Sequence, residues 1–182
     1  LNTDILKFDL KLIDKKNSII IGNLPYNISS QILVKFIINK NKFKFKKLVF
    51  MFQKELADRI LAKVNSSNYG RFSILANWKL NIEKVCDIKP TSFDPKPKVD
   101  SSLLHFKPKE ISHQFKNPKN LEKVTRIFFN QRRKMLKKPF NQLFNGDQRV
   151  LDKLKIDLNL RPQNLSMDTY YKLTNEYENL RS

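Results

Sequence analysis

Short apolar runs and helical spacings alternate along the first hundred residues. Ile19, Ile20 and Ile21 form a β-branched run between Ser18 and Gly22, the pattern of a strand buried on both faces of a parallel sheet. Asn23-Leu24-Pro25-Tyr26-Asn27 follows, all turn chemistry. Ser29 or Ser30 is placed to cap a helix over 31–38, where Ile32, Leu33, Phe36 and Ile37 recur at helical spacing. Residues 47–52 repeat the strand pattern, and 54–64 the helical one, with Leu56, Ile60, Leu61 and Val64 on one side. A polar loop over 65–70 leads to a short helix over 72–80, and strands are expected at 84–88 and 101–106. This order predicts an α/β layer with a mostly parallel sheet, which the last two strands could close antiparallel.

The pattern changes after Phe106. Residues 107–118 are polar and carry Pro108 and Pro118, the mark of a linker. Beyond them the spacing is helical: 121–138, stopped by Pro139; 148–158; and 167–180, capped by Ser166. The expected organisation is a sheet domain over 1–107, a linker over 108–118 and a small all-helical domain over 119–182.

Charge narrows the function classes. The 182 residues hold 36 Lys plus Arg against 17 Asp plus Glu, a net charge of +19, so a polyanion is the expected partner. Lys- and Asn-rich codon usage is the competing source of that charge. No apolar run approaches the ~18–20 residues of a membrane span. The first ten residues carry Asp4 and Asp9 and no apolar stretch, so no signal peptide is expected. Cys86 is a single thiol, read as a small buried residue of a strand beside Val85; with His105 and His113 apart from any acid or nucleophile, no metal or thiol chemistry is expected. The cytoplasm is the natural compartment.

The candidate chemistry sits where the first strand ends, since ligands of open α/β sheets bind beyond the carboxyl ends of strands. Asn23 offers an amide oxygen, the Leu24 carbonyl is a second acceptor, Pro25 fixes the turn that holds it, and Tyr26 supplies a flat face for a base. Two acceptors gripping an exocyclic amino group would pyramidalise a nitrogen whose lone pair is otherwise delocalised into a purine. The competing reading is a plain strand-to-helix turn. Phe93-Asp94-Pro95-Lys96-Pro97-Lys98-Val99-Asp100-Ser101 has two prolines at alternate positions, which stiffen an extended loop and present Phe93 as a fixed aromatic. A rigid edge loop is the alternative there.

In the predicted helix over 121–138, Leu121, Val124, Phe128 and Met135 trace an apolar stripe. Arg126, Asn130, Arg133 and Lys137 line another face. Residues 107–138 hold eleven basic side chains against Glu110 and Glu122, a stripe able to follow an RNA backbone, with a solvated basic face as the alternative. The Lys-rich segment 40–47 reads as a loop rather than a contact.

Together these pieces resemble the ribosomal RNA adenine N6-dimethyltransferases of the small-subunit type, Rossmann-like methyltransferases that use S-adenosylmethionine (SAM) and carry a helical tail. Asn23-Leu24-Pro25-Tyr26-Asn27-Ile28-Ser29 matches the catalytic motif, Phe93-x-Pro95-x-Pro97-x-Val99-x-Ser101 the aromatic loop, and Phe129-Asn130-Gln131-Arg132-Arg133-Lys134 the tail signature; Gln53-Lys54-Glu55 and Tyr69-Gly70-Arg71 also agree. The resemblance implies that Asn23, Leu24, Pro25, Tyr26 and Phe93 hold the target adenine. It implies that Asp4, with Asn23, meets the cofactor, and that Arg126, Asn130, Arg132, Arg133, Lys134 and Lys137 meet RNA. It further implies two methyls on each of two adjacent adenosines near the 3′ end of small-subunit rRNA, within the 30S particle, by a monomer.

One departure is large. Such enzymes carry a Gly-rich loop after their first strand and a ribose-holding acid after the second. Here the glycines are Gly22, Gly70 and Gly146. Those elements would lie before Leu1, so the chain reads as the carboxy-terminal portion of the sheet, with weak SAM binding and no activity alone. The rival reading is a catalytically dead RNA-binding assembly factor. A DNA adenine methyltransferase is a third, disfavoured by Leu24 and by the Arg-rich tail.

Overall fold

The computed structural model describes residues 3–13, 18–39, 45–109 and 113–181. The chain folds as two compact units: Leu1–Leu61 with Lys79–Glu110, and Ala62–Trp78 with Ile111–Ser182. The division read from the sequence differs in two respects. Residues 108–118, expected as a linker, are shared between the two units. Ala62–Trp78, expected with the sheet, belongs with the helices.

The first unit is built on a four-stranded sheet in the order β1-β2-β4-β3. Here β1 is Ile19–Asn23, β2 Lys47–Gln53, β3 Leu80–Ile88 and β4 Ser101–Pro108. Only β1 and β2 run parallel; β4 lies antiparallel to both β2 and β3. The sheet is therefore mixed: its last two strands close it antiparallel, as their pattern allowed, with β4 between β2 and β3. Leu48, Phe50, Phe52, Leu104 and Phe106 are fully buried, and Phe50, Phe52 and Phe106 meet at centroid distances of 6.1–6.3 Å. Burying each such ring contributes roughly 1.5–3 kcal/mol.

Helix α1 (Ser29–Ile38) buries Ile32, Leu33, Phe36 and Ile37, as its spacing predicts. No serine side chain caps it; Ser29 is turned inward and donates to the Tyr26 carbonyl at 3.0 Å. Helix α2 (Lys54–Leu61) buries Ala57 and Ile60, while Val64 lies beyond its end and is exposed.

Two burial expectations fail at the sheet edges. Strand β1 leaves Ile19 55% and Ile21 76% exposed, because among the described residues it pairs on one side only, with β2. Cys86, expected buried, is exposed. Strand β3 is the other edge, and its register shifts between Lys84 and Cys86, which turns Val85 and Cys86 outward.

The second unit packs α3 (Arg71–Lys79), α4 (Lys119–Phe129), α5 (Lys137–Phe144), α6 (Gln148–Leu154) and α7 (Met167–Asn179). In α3, Ile74, Leu75, Ala76 and Trp78 are all buried. Tyr171 donates to the Ile74 carbonyl at 3.0 Å, and the Trp78 indole donates to the His113 carbonyl at 3.0 Å and packs on Phe115. His113, read as incidental, bonds Asp168 at 3.0 Å and stacks against Tyr171. Tyr69, Tyr170 and Tyr171 are buried, and desolvation pushes their hydroxyl pKa values up.

The single helix expected over 121–138 is two. Helix α4 ends at Phe129 and α5 begins at Lys137. Pro139 does not stop a helix; it sits in the first turn of α5, where its missing N–H has no intrahelical partner to lose. Leu121, Val124 and Phe128 are buried as expected, but Met135 falls in the connection and is 58% exposed. Helix α7 is capped as predicted, with Ser166 accepting from the Thr169 N–H at 3.1 Å.

Candidate active site

Strand β1 ends at Asn23, and the chain turns before α1. The turn uses its own carbonyls: Ile28 N–H donates to Pro25 O at 3.1 Å, and Ser29 to Tyr26 O. Among the described residues nothing donates to the Asn23 carboxamide or to the Leu24 carbonyl. Asn23 is exposed. Gly22 allows close packing beneath it, since an added Cβ would come within 2.9 Å of Leu24 Cδ2 and 3.3 Å of Phe50 Cδ1.

The loop between β3 and β4 reaches the same place. Asn23, Leu24, Pro25, Tyr26, Met51, Phe93, Pro95 and Pro97 line one cavity of about 360 Å³. The two motifs stand some seventy residues apart in sequence, yet they share a wall. All five residues expected to hold a base are among those lining it. Tyr26 is half-buried, and its hydroxyl lies 2.6 Å from Ser101 Oγ at the start of β4. The ring is thereby tethered at its hydroxyl while the residue lines the cavity. Phe93 is also half-buried.

Two residues of this site were not singled out from the sequence. Met51 lines the cavity because the parallel pairing sets it opposite Asn23; its signal was its place at the carboxyl end of the second strand. Ser101 was read only as the last letter of a motif. No local pattern announces a partner 75 positions away.

The other expected residues stand elsewhere. Asp4 is exposed, and its Oδ1 accepts the Leu6 N–H at 2.8 Å. The turn that follows is held by Lys35, whose ammonium donates to the Ile5, Leu6 and Phe8 carbonyls at 2.5–2.9 Å. A carboxylate held on a fixed turn is compatible with the cofactor contact expected of Asp4. The glycines of the chain do not fit the methionine end of SAM: Gly22 lies in β1, Gly70 beside Phe129 and Gly146 after α5.

In the helical unit, the break between α4 and α5 removes the continuous face on which Arg126, Asn130, Arg133 and Lys137 were expected. Arg126, Asn130, Arg133, Lys134 and Lys137 are nonetheless exposed. Arg132 differs from them: its guanidinium donates to the Ser66 carbonyl at 3.4 Å and to the Ser67 carbonyl. Phe129 packs against Tyr69 and Tyr170 at 6.1 and 5.5 Å. Arg71 pairs with Glu122 at 2.6 Å. The Tyr69-Gly70-Arg71 and Phe129-to-Lys134 motifs are thus parts of one packing arrangement. Among the described residues no cluster of His, Cys, Asp and Glu could hold a metal ion, and no helix is long and apolar enough to cross a membrane.

A family model described as "Ribosomal RNA adenine dimethylase" matches residues 1–179. The chain is 60% identical over 182 residues to the ribosomal RNA small subunit methyltransferase A of Pelagibacter ubique (strain HTCC1062), covering 100% of this chain and 70% of that protein. It is 39% identical over 178 residues to the protein of the same name from Prochlorococcus marinus (strain AS9601), covering 93% and 65%. The chain thus spans about two thirds of the length of these relatives. Among solved structures, a dimethyladenosine transferase from Plasmodium falciparum superposes with a TM-score of 0.78 at 28% identity, covering 98% of this chain and 72% of that one. The 23S rRNA methyltransferase ErmE superposes with a TM-score of 0.62 at 16% identity and shares the fold.

Proposed function

This chain belongs to the ribosomal RNA adenine dimethylase family, Rossmann-like enzymes that use SAM as methyl donor, and from that premise we propose that its cavity holds an adenine lifted out of small-subunit rRNA for methylation at N6. The observation that carries this reading is the convergence of Asn23, the Leu24 carbonyl, Tyr26 and Phe93 on one cavity. A flipped base costs a few kcal/mol to extract. Stacking on each ring returns about 1–3 kcal/mol, so two aromatic walls are of the right size to hold it.

The chemistry then follows from the acceptors. Adenine N6 is a poor nucleophile because its lone pair is delocalised into the ring. The Asn23 carboxamide oxygen and the Leu24 carbonyl accept its two N–H bonds, which favours a pyramidal nitrogen with the lone pair directed out of the base plane. Pro25 has no N–H and a fixed φ, so the turn presents the Leu24 carbonyl in one direction. When bound, SAM supplies an electrophilic sulfonium methyl; Asp4, with Asn23, would meet its adenosine end. No strong base is required, since the proton leaves after N6 has become cationic.

The exposed Arg126, Asn130, Arg133, Lys134 and Lys137 supply contacts to the RNA backbone in this reading, and Arg132 holds the connection that carries Asn130, Arg133 and Lys134. The acceptor would be two adjacent adenosines near the 3′ end of small-subunit rRNA in the 30S particle, and the enzyme a cytoplasmic monomer with a role in ribosome biogenesis. The chain alone is expected to bind SAM weakly, since the Gly-rich loop has no counterpart in it.

The test joins residues 1–182 to the part of the Pelagibacter ubique relative outside the match. That chimera is incubated with methyl-labelled SAM and 30S particles lacking the modification. Label in dimethyladenosine of the small-subunit rRNA is expected. A chimera that folds and binds SAM but transfers no methyl would overturn the reading and favour an RNA-binding assembly factor.

A further inference from the structure

The loop that carries Phe93 leaves β3 after Ile88 and returns at Ser101, and Ile88 and Ser101 are paired in register. Its two ends are fastened to each other. Lys89 Nζ lies 2.9 Å from Asp100 Oδ2, and the Lys54 N–H donates to the Asp100 carbonyl at 2.9 Å. The Lys54 ammonium adds contacts of 3.3 Å to Asp87 and 4.0 Å to Asp100. Asp87 accepts in turn from Ser102 at 2.6 Å and pairs with Lys84 at 3.1 Å.

Within the loop, Ser92 N–H donates to Lys89 O at 3.0 Å and Phe93 N–H to Pro90 O at 3.2 Å. The backbone is therefore held as one turn from Lys89 to Phe93. At the other end, Ser101 is fully buried and its hydroxyl meets Tyr26. A continuous chain of contacts runs from Phe93 through its turn to Lys89, across the ion pair to Asp100, and through Ser101 to Tyr26.

We propose that Asp100 and Ser101 are positioning residues, a clasp at the base of the loop that fixes where the Phe93 ring stands relative to the Tyr26 ring. The inference rests on the cavity being the adenine site. Stability alone is a poor explanation for the clasp. Lys89 is 72% exposed, and ion pairs in such settings contribute about 0–1 kcal/mol. What the clasp supplies is geometry. Two stacking rings on separate segments grip a base only when their spacing matches it, and a misplacement of about 1 Å can cost on the order of a hundredfold in rate.

The experiment has two arms, with variants Asp100→Asn, Ser101→Ala, Ser101→Thr, Tyr26→Phe and the double variant Ser101→Ala/Tyr26→Phe. In the first, residues 1–182 with labelled aromatic rings are followed by NMR, alongside thermal unfolding. Asp100→Asn and Ser101→Ala are expected to shift and broaden both the Phe93 and Tyr26 ring signals, with folding retained, and Ser101→Thr to restore them. Ring signals unmoved at Phe93 would overturn the proposal whether or not methyl transfer occurs.

In the second arm, kcat/KM for the chimera is expected to fall about tenfold in Ser101→Ala. It should recover in Ser101→Thr, and the double variant should be no worse than Tyr26→Phe alone. Additive losses would overturn a path through the Tyr26 hydroxyl. An inactive wild-type chimera would count against the methyl-transfer reading, and the ring signals would still decide the clasp.

Discussion

Removing the Phe93 ring separates stacking from folding. Phe93 lines the cavity at the head of a stiff loop and is half-buried, so Phe93→Ala removes little core packing and should change folding stability by under about 1 kcal/mol. If the ring covers the target base, its loss forfeits one base–aromatic stack, about 1–3 kcal/mol. At about 1.4 kcal/mol per factor of ten, that is roughly a 5- to 150-fold loss in kcat/KM. Phe93→Tyr preserves a π face and should stay within about threefold of wild type. Phe93→Leu keeps apolar area without the face and should fall between. The assay is methyl transfer by the chimera to a hairpin RNA; in a separate binding experiment 2-aminopurine, which has no 6-amino group to methylate, replaces the target base, and its fluorescence reports unstacking and restacking. A Phe93→Ala variant that is stable and within twofold of wild type in kcat/KM would refute the clamp, because no stacking energy would then have been lost.

Four further outcomes are expected. Asn23→Ala should lower kcat by about 10²–10³ with little change in RNA affinity, by comparison with loss of one preorganised partner in other transition states; an equal rise in KM with kcat unchanged would show that Asn23 serves only binding. Glu178 is buried and accepts from the Lys116 and Asn117 N–H groups at 2.8 and 2.9 Å and from the Asn120 amide at 2.9 Å. Glu178→Ala should therefore cost about 3 kcal/mol and lower Tm by about 6–12 °C, read by circular dichroism. The Ser102 hydroxyl, then Lys84 and Lys54, hold the Asp87 carboxyl down to about 2 from an ordinary value of 3.8. Its stabilising contribution is thus full above the ordinary value and lost as pH falls through about 2; a carboxyl titration by NMR with its midpoint near 4 would contradict the network. Replacing Arg126, Arg133, Lys134 and Lys137 by Gln should reduce the salt dependence of RNA binding, by up to about 0.9 in log–log slope for each phosphate contact removed from a duplex, while an unchanged slope would move the RNA contact elsewhere.

Most of what was legible in the sequence is local. The strands at Ile19, Lys47 and Ser101, the helix after Asn27 and the Ser166 cap follow from runs and caps a few residues long. The break between α4 and α5 could not be read, because the apolar spacing continues through it and Pro139 resembles a stop. It is stabilised by partners remote in sequence: Arg132 with the Ser66 and Ser67 carbonyls, and the Leu136 N–H donating to the Leu160 carbonyl at 2.9 Å. The unit to which α3 belongs was hidden for the same reason, since its apolar and polar residues are mixed around the helix and leave no single apolar face that says what covers it.

The candidate site combines both kinds of information, and this bears on how its motifs should be interpreted. Asn23, Leu24 and Pro25 are legible because the chemistry they offer is local: acceptors on a fixed turn. Tyr26 and Ser101 are different. A tyrosine in a turn would be mobile, and a serine opening a strand would be unremarked, until β4 inserts beside β2 and brings the two hydroxyls to 2.6 Å. The antiparallel return of β4, one of the two strands read as able to close the sheet in that sense, is what makes that contact possible. It also delivers the loop bearing Phe93 to the end of β1. The place of β4 between β2 and β3, which strand patterning does not specify, is therefore a physical cause of the cavity at the candidate site. A change that weakened β2–β4 pairing without touching the cavity should impair both rings together.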